Sequence, residues 1–174
     1  MIRKEIIQPI NDLIKKQAEQ FKDKIAYADE NECVSYNDLE IETRNLSFYL
    51  SSKNLNSEEA VSIILPNSVN WIISCFAIIR LGCLVVPMSY DSALSEIDYK
   101  LNDSNTKIVI TTNEIKHKIK SKLDLNPNIQ IITVDDEIEN LNFSKIRKIN
   151  HKSILLKDDI DKPCYILYTS GTTG

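Results

Sequence analysis

Two apolar runs separated by a helix-length stretch constrain this chain most. Ala60 to Leu65 is almost wholly aliphatic, and so is Cys83 to Pro87. A short run apolar on both faces reads as a strand buried on both faces, which is the habit of parallel sheets. Between the runs lies Pro66-Asn67-Ser68, a strand-to-helix turn with Asn67 or Ser68 as the N-cap. Val69 to Arg80 follows as a helix apolar nearly all round, hence packed inside, and Gly82 sits where a helix C-cap needs it.

The same alternation extends in both directions. Ile10, Leu13, Ile14 and Ala18 have helical spacing within Ile6 to Phe21. Lys24 to Ala28 and Glu32 to Ser35 read as two short strands around Asp29-Glu30-Asn31, a hairpin. A helix from Tyr36 to about Ser52 places Leu39, Thr43, Leu46 and Leu50 on one face. Further helices are expected over Ser95 to Leu101 and Glu114 to Leu123, and further strands over Lys107 to Thr111 and Ile129 to Val134. The fold class is therefore α/β, a mostly parallel sheet covered by helices. Residues 1–134 read as an α/β subdomain. Residues 135–162 are polar, without clear period, and read as a surface excursion. Residues 163–174 read as a strand plus a loop.

Composition narrows the partners. Net charge is −4, with acids and bases interspersed and no basic stripe bearing aromatics, which argues against nucleic acid. Lys116 to Lys122 reads as a solvated helix face. Pro66, Asn67, Asn70 and Arg80 interrupt the most apolar region, Val61 to Met88, so a membrane span is not expected. The amino terminus lacks the apolar core of a signal peptide. Cys33, Cys75, Cys83 and Cys164 show no C-x-x-C pairing and are read as buried thiols of a reducing, cytoplasmic compartment. His117 and His151 stand isolated in polar stretches and are read as surface residues, not metal ligands. Trp71, Phe76 and the Leu84 to Met88 run, with Ser89 and Tyr90, are read as core.

The chemistry concentrates at the end of the chain. The apolar run Cys164 to Tyr168 empties into Thr169-Ser-Gly-Thr-Thr-Gly174. Glycines let the backbone turn tightly and approach a ligand, so successive N–H groups can face phosphate oxygens. Thr169, Ser170, Thr172 and Thr173 add donors without negative charge. Two of the chain's three glycines, Gly171 and Gly174, lie in this loop. The G-x-x-x-x-G-K-[ST] pattern of a P-loop does not fit, and neither does a dinucleotide fingerprint.

The heptad Tyr168-Thr-Ser-Gly-Thr-Thr-Gly174 after an apolar strand resembles the phosphate-binding loop of the adenylate-forming superfamily: acyl- and aryl-CoA synthetases, peptide-synthetase adenylation domains and luciferase. Val34-Ser-Tyr-Asn-Asp-Leu39 looks like an early motif of that family, with Asp38 in place of Glu. The block from Ile63 to Met88 looks like its Leu-Pro-Asn-Ser … Leu-x-x-Gly-x-x-x-x-Pro-Leu segment. Glu96 to Ser104 and Lys107 to Thr111 match the helix and strand that follow. The resemblance runs from about Asn11 to Gly174 and is weakest between Asn113 and Asp161.

What the resemblance implies is the first part of that family's large N-terminal domain, ending at the phosphate-binding loop. Thr169, Ser170, Gly171, Thr172, Thr173 and Gly174 match the residues that hold ATP phosphates. The implied reaction joins a carboxylic acid to ATP with Mg²⁺, giving an acyl-adenylate, and passes the acyl group to the thiol of coenzyme A or of carrier-protein phosphopantetheine. An acyl or peptidyl carrier protein is thus an implied partner. The family's adenine pocket, its Mg²⁺-placing acid and its catalytic lysine match no position here, and neither does its C-terminal domain. The Leu-Pro-Asn-Ser block and Val-Val-Pro-Met look more like acyl-CoA and acyl-carrier ligases than amino-acid-activating domains. The chain is expected to be the front of a longer ligase and inactive alone. Ordering each residue of an unpinned loop costs about 1–2 kcal/mol, while millimolar ATP binding returns only about 4 kcal/mol. The alternative is a non-catalytic interaction module with the family's front subdomain.

Overall fold

The structure, a computed structural model, describes residues 8–124, 126–136, 143–149 and 159–169. Its centre is a four-stranded sheet formed by β3 (Ala60–Ile64), β4 (Leu84–Pro87), β5 (Ile108–Thr111) and β6 (Gln130–Thr133), in the order β4-β3-β5-β6. All three pairings are parallel, with Val61 opposite both Val85 and Ile108, and Val109 opposite Ile131.

The period of two decides which layer each strand residue joins. Val61, Ile63, Val85, Ile108, Ile110 and Ile132 enter one core with α2 (Tyr36–Ser51) and α3 (Val69–Arg80). Ala60, Ile64, Val86 and Val109 face the other way, against α4 (Leu94–Asp103) and α5 (Asn113–Leu123). Both faces of the sheet are covered, as the apolar runs require.

Local signals place the helix ends. Ser35 caps α2 through a reciprocal box: its Oγ accepts from Asp38 N–H at 3.0 Å, and Asp38 Oδ2 accepts from Ser35 N–H at 3.1 Å. Ser68 Oγ accepts from Trp71 N–H at 3.2 Å and starts α3. Gly82, at φ 72°, ends that helix in the left-handed region where a side chain is penalised. Preceding these elements are α1 (Ile10–Phe21) and an antiparallel hairpin of β1 (Ile25–Ala28) and β2 (Cys33–Ser35). The expected residues Ile6 and Ile7 of the first helix lie outside the described residues.

Two expectations are corrected. The stretch 135–162 is not a surface excursion throughout. It contains α6 (Phe143–Lys148), which buries Phe143, Ile146 and Arg147 against α2. Arg147 reaches Glu32 with two nitrogens, at 3.0 and 2.7 Å, touches Glu42 at 2.8 Å and donates to Asn70, while Asn45 Nδ2 donates to the Arg147 carbonyl at 2.7 Å. Burial pushes the Glu42 carboxyl up from its ordinary range, and Arg147 only partly offsets that. The second correction concerns thiols. Cys75 and Cys83 are buried as expected, but Cys33 and Cys164 are exposed. Cys33 sits on a two-stranded hairpin and Cys164 at a sheet edge, so neither is covered on both faces.

Trp71 and Phe76 pack on the main core while remaining partly exposed. His117, Lys118 and Lys120 lie on an exposed face of α5, as expected, and His151 lies outside the described residues. Among the described residues, no helix is long and apolar enough to cross a membrane.

Candidate functional site

The Cys164 to Tyr168 run joins the sheet beside β4. Val85 N–H donates to the Cys164 carbonyl and Ile166 N–H donates to the Val85 carbonyl, both at 2.9 Å. The bridge is parallel and involves Tyr165 alone, shorter than the strand expected from the sequence. Side chains still alternate. Tyr165 packs on the core of α2 and α3, while Ile166 and Tyr168 pack on that of α4 and α5. Leu167 is 69% exposed, as an uncovered edge allows.

A parallel bridge has a directional consequence. The chain after Tyr165 leaves at the carboxyl end of the sheet, where open α/β sheets place their ligands. Two tyrosines anchor the departing segment. The Tyr165 hydroxyl meets Cys75 Sγ on α3. Burial pushes the Cys75 thiol up to about 11 and raises the Tyr165 phenol as well, so both stay protonated at neutral pH and Cys75 is no nucleophile.

Tyr168 is held from α4. Its hydroxyl donates to Asp103 Oδ2 at 2.6 Å, the Tyr99 ring stands edge-on at 6.1 Å and 75°, and Lys100 Nζ lies 5.4 Å from its ring centroid. Burial, then the Asp103 carboxylate, pushes the phenol up to about 12, which keeps it a donor. Lys100 also pairs with Glu96 one turn back. No local signal in the sequence announces this cluster, because Asp103 and Tyr168 are 65 residues apart.

Of the six expected phosphate-binding residues, Thr169 is described and exposed. Ser170, Gly171, Thr172, Thr173 and Gly174 lie outside the described residues.

A second concavity, of about 320 Å³, lies between the hairpin and the start of α3, lined by Tyr27, Asp29, Asn67, Ser68 and Trp71 among others. The amino end of α3 is already satisfied there. Asp29 Oδ2 accepts from Val69 N–H at 2.8 Å, and its Oδ1 accepts from Asn31 and Glu32 N–H at 2.7 and 2.9 Å. These backbone donors, Val69 first, hold the Asp29 carboxyl below its ordinary range. That end of α3 therefore offers little to a second anion.

Comparison with known proteins agrees with the motifs. Residues 14–174 match the family described as AMP-binding enzyme. The chain belongs to that family. Tyrocidine synthase 1 of Brevibacillus parabrevis is 29% identical over 168 residues, covering 95% of this chain and 14% of that protein. Among solved structures, a long-chain-fatty-acid-CoA ligase from Archaeoglobus fulgidus has a TM-score of 0.82 at 22% identity, covering 95% of this chain and 35% of the other. An anthranilate CoA ligase in complex with anthranoyl-AMP has a TM-score of 0.83 at 19% identity, covering 99% and 35%. At such identities the structural likeness speaks for the fold: a parallel α/β arrangement shared with N-terminal domains of AMP-binding enzymes. This chain spans 14% of the synthase and 35% of each ligase.

Proposed function

We propose that this chain is the front portion of an ATP-dependent adenylate-forming ligase, and that Thr169, Ser170, Gly171, Thr172, Thr173 and Gly174 bind ATP phosphates. The observation that carries the reading is the Tyr168-to-Gly174 heptad, following a segment bridged in parallel to β4 within a match to AMP-binding enzymes. A loop of hydroxyls and glycines supplies donors without adding negative charge, and phosphoryl chemistry rests on such preorganised donors.

In the first step a carboxylate oxygen of the acid attacks the α-phosphorus of ATP. The bond to the bridging α–β oxygen breaks, and pyrophosphate leaves. In the second step a thiol sulfur attacks the acyl carbonyl, the thiol proton is lost, and AMP leaves. The residues in hand bear on the first step alone, by holding the phosphates that depart. Mg²⁺ would neutralise phosphate charge. Among the described residues, however, no group of three or more His, Cys, Asp or Glu side chains stands ready to hold a metal ion, so none is assigned to it.

Coenzyme A and a carrier-protein phosphopantetheine both fit the second step, in a cytoplasmic enzyme. The ligases among the structural neighbours favour coenzyme A. Activation of an amino acid is the second reading, favoured by the synthase among the relatives. Residues 1–174 alone are proposed to be inactive, because the adenine pocket and catalytic lysine that the family resemblance implies match no position among them. The experiment is acid-dependent ATP–pyrophosphate exchange on the whole natural polypeptide, run against a panel of fatty, aryl and amino acids. Exchange with one class identifies the acid. Exchange by residues 1–174 alone would refute the inactive-fragment reading.

A further inference from the structure

We infer that Asp103 is a positioning residue for ATP binding: through Tyr168 it fixes the direction in which the phosphate-binding loop leaves the sheet. The inference rests on the phosphate-loop reading given above. Among the described residues, the last backbone bond of the departing segment is Ile166 N–H to the Val85 carbonyl. The next side chain that turns inward is Tyr168, and Thr169 after it is already exposed. Among the described residues, backbone pairing therefore ends at Ile166, and the Tyr168 side chain is the last inward tether before Thr169.

That tether is built from three neighbours on one rigid helix. Asp103 accepts a hydrogen bond from the Tyr168 hydroxyl at 2.6 Å, Tyr99 meets the ring edge-on at 6.1 Å, and Lys100 stands over the ring at 5.4 Å. α4 is itself fixed, because Ile97 and Leu101 are buried on its inner face at 0% and 3% exposure. The three contacts differ in what they fix. The ring contacts limit how Tyr168 tilts, whereas the hydrogen bond fixes how far its hydroxyl reaches along α4. A loop whose backbone must meet phosphate oxygens tolerates little error at its origin, since displacements near 1 Å cost large factors in binding and rate. A tyrosine held only for packing would need no charged acceptor at its tip.

The test uses the whole natural polypeptide and its pyrophosphate exchange, with Tyr168→Phe, Asp103→Ala, Asp103→Asn and the Tyr168→Phe/Asp103→Ala double variant. Each of Tyr168→Phe and Asp103→Ala is expected to raise KM for ATP about tenfold, in line with one hydrogen bond to a charged group. KM for the acid should stay within about twofold. The double variant should be no worse than the worse single, because both remove one interaction. Asp103→Asn, whose amide oxygen can still accept, should lose less than Asp103→Ala. An active wild type with unchanged KM for ATP in the variants would overturn the positioning role alone, as would equal rises in both KM values tracking a lowered melting temperature. A wild type that neither binds ATP nor exchanges pyrophosphate would overturn the phosphate-loop reading, and this inference with it.

Discussion

Val85 and Tyr165 are parallel partners: Val85 donates its N–H to the carbonyl before Tyr165 and accepts the N–H of the residue after it, both at 2.9 Å. This one bridge turns a run of apolar residues into the edge of a sheet and points the following loop at the sheet's carboxyl end. Tyr165 reinforces it by packing on the α2–α3 core beside Cys75. Tyr165→Ala is expected to destabilise by about 2 kcal/mol, the scale for half-buried aromatic area plus the void it leaves. Tyr165→Phe, which loses only the hydroxyl, should cost under about 1 kcal/mol. Urea unfolding midpoints of the two variants check the contrast.

The thiols should react in two classes. Cys33 and Cys164 are exposed, whereas Cys75 and Cys83 are buried and Cys75 is pushed up to about 11. Iodoacetamide at pH 7.5 should modify Cys33 and Cys164 first, because the thiolate is the nucleophile and burial suppresses it. Peptide mass mapping over time reads the order, and all four should label once urea unfolds the chain.

Asp29 couples the hairpin to α3, accepting N–H groups from Asn31, Glu32 and Val69. Its folded value lies below the ordinary 3.8, so its stabilising effect is present above that pH and fades as pH falls through the lower folded value. Asp29→Ala should cost about 1 kcal/mol near neutral pH, the scale of a lost cap. The difference between wild type and variant should shrink below about pH 4. Thermal melts at pH 7 and pH 3 measure both.

Arg147 holds α6 in place. Its side chain is 1% exposed, and it faces Glu42 at 8%. Arg147→Ala should cost about 3 kcal/mol, because it strands the buried Glu42 carboxylate and loses the side-chain contact to Asn70. The conservative Arg147→Lys should recover only part, having no planar fork for Glu32. Denaturant titration of both variants tests this.

The elements most legible in the sequence are those written locally. Two of the family-like motifs, Val34 to Leu39 and the block from Ile63 to Met88, hold helix N-caps at Ser35 and Ser68, and Gly82 is a left-handed stop. Caps and turns depend on neighbours three or four residues away, so α3 matches its expected limits, Val69–Arg80, at both ends. What the sequence hid is long-range. α6 has six residues, too few for a period, and its partners Glu32, Glu42, Asn45 and Asn70 lie far up the chain. The exposure of Cys33 and Cys164 follows from edge positions that apolar neighbours do not reveal. The Asp103–Tyr168 contact has the same character: each residue is unremarkable until the sheet brings α4 beside the loop.

The measurement that bears most directly on the central claim is an ATP titration, with Mg²⁺ present, of the whole natural polypeptide beside its Gly171→Val variant. Sub-millimolar binding to the wild type is expected, weakened at least tenfold when a branched side chain blocks the backbone's approach to phosphate. No binding by the wild type, or equal binding by both proteins, would contradict it.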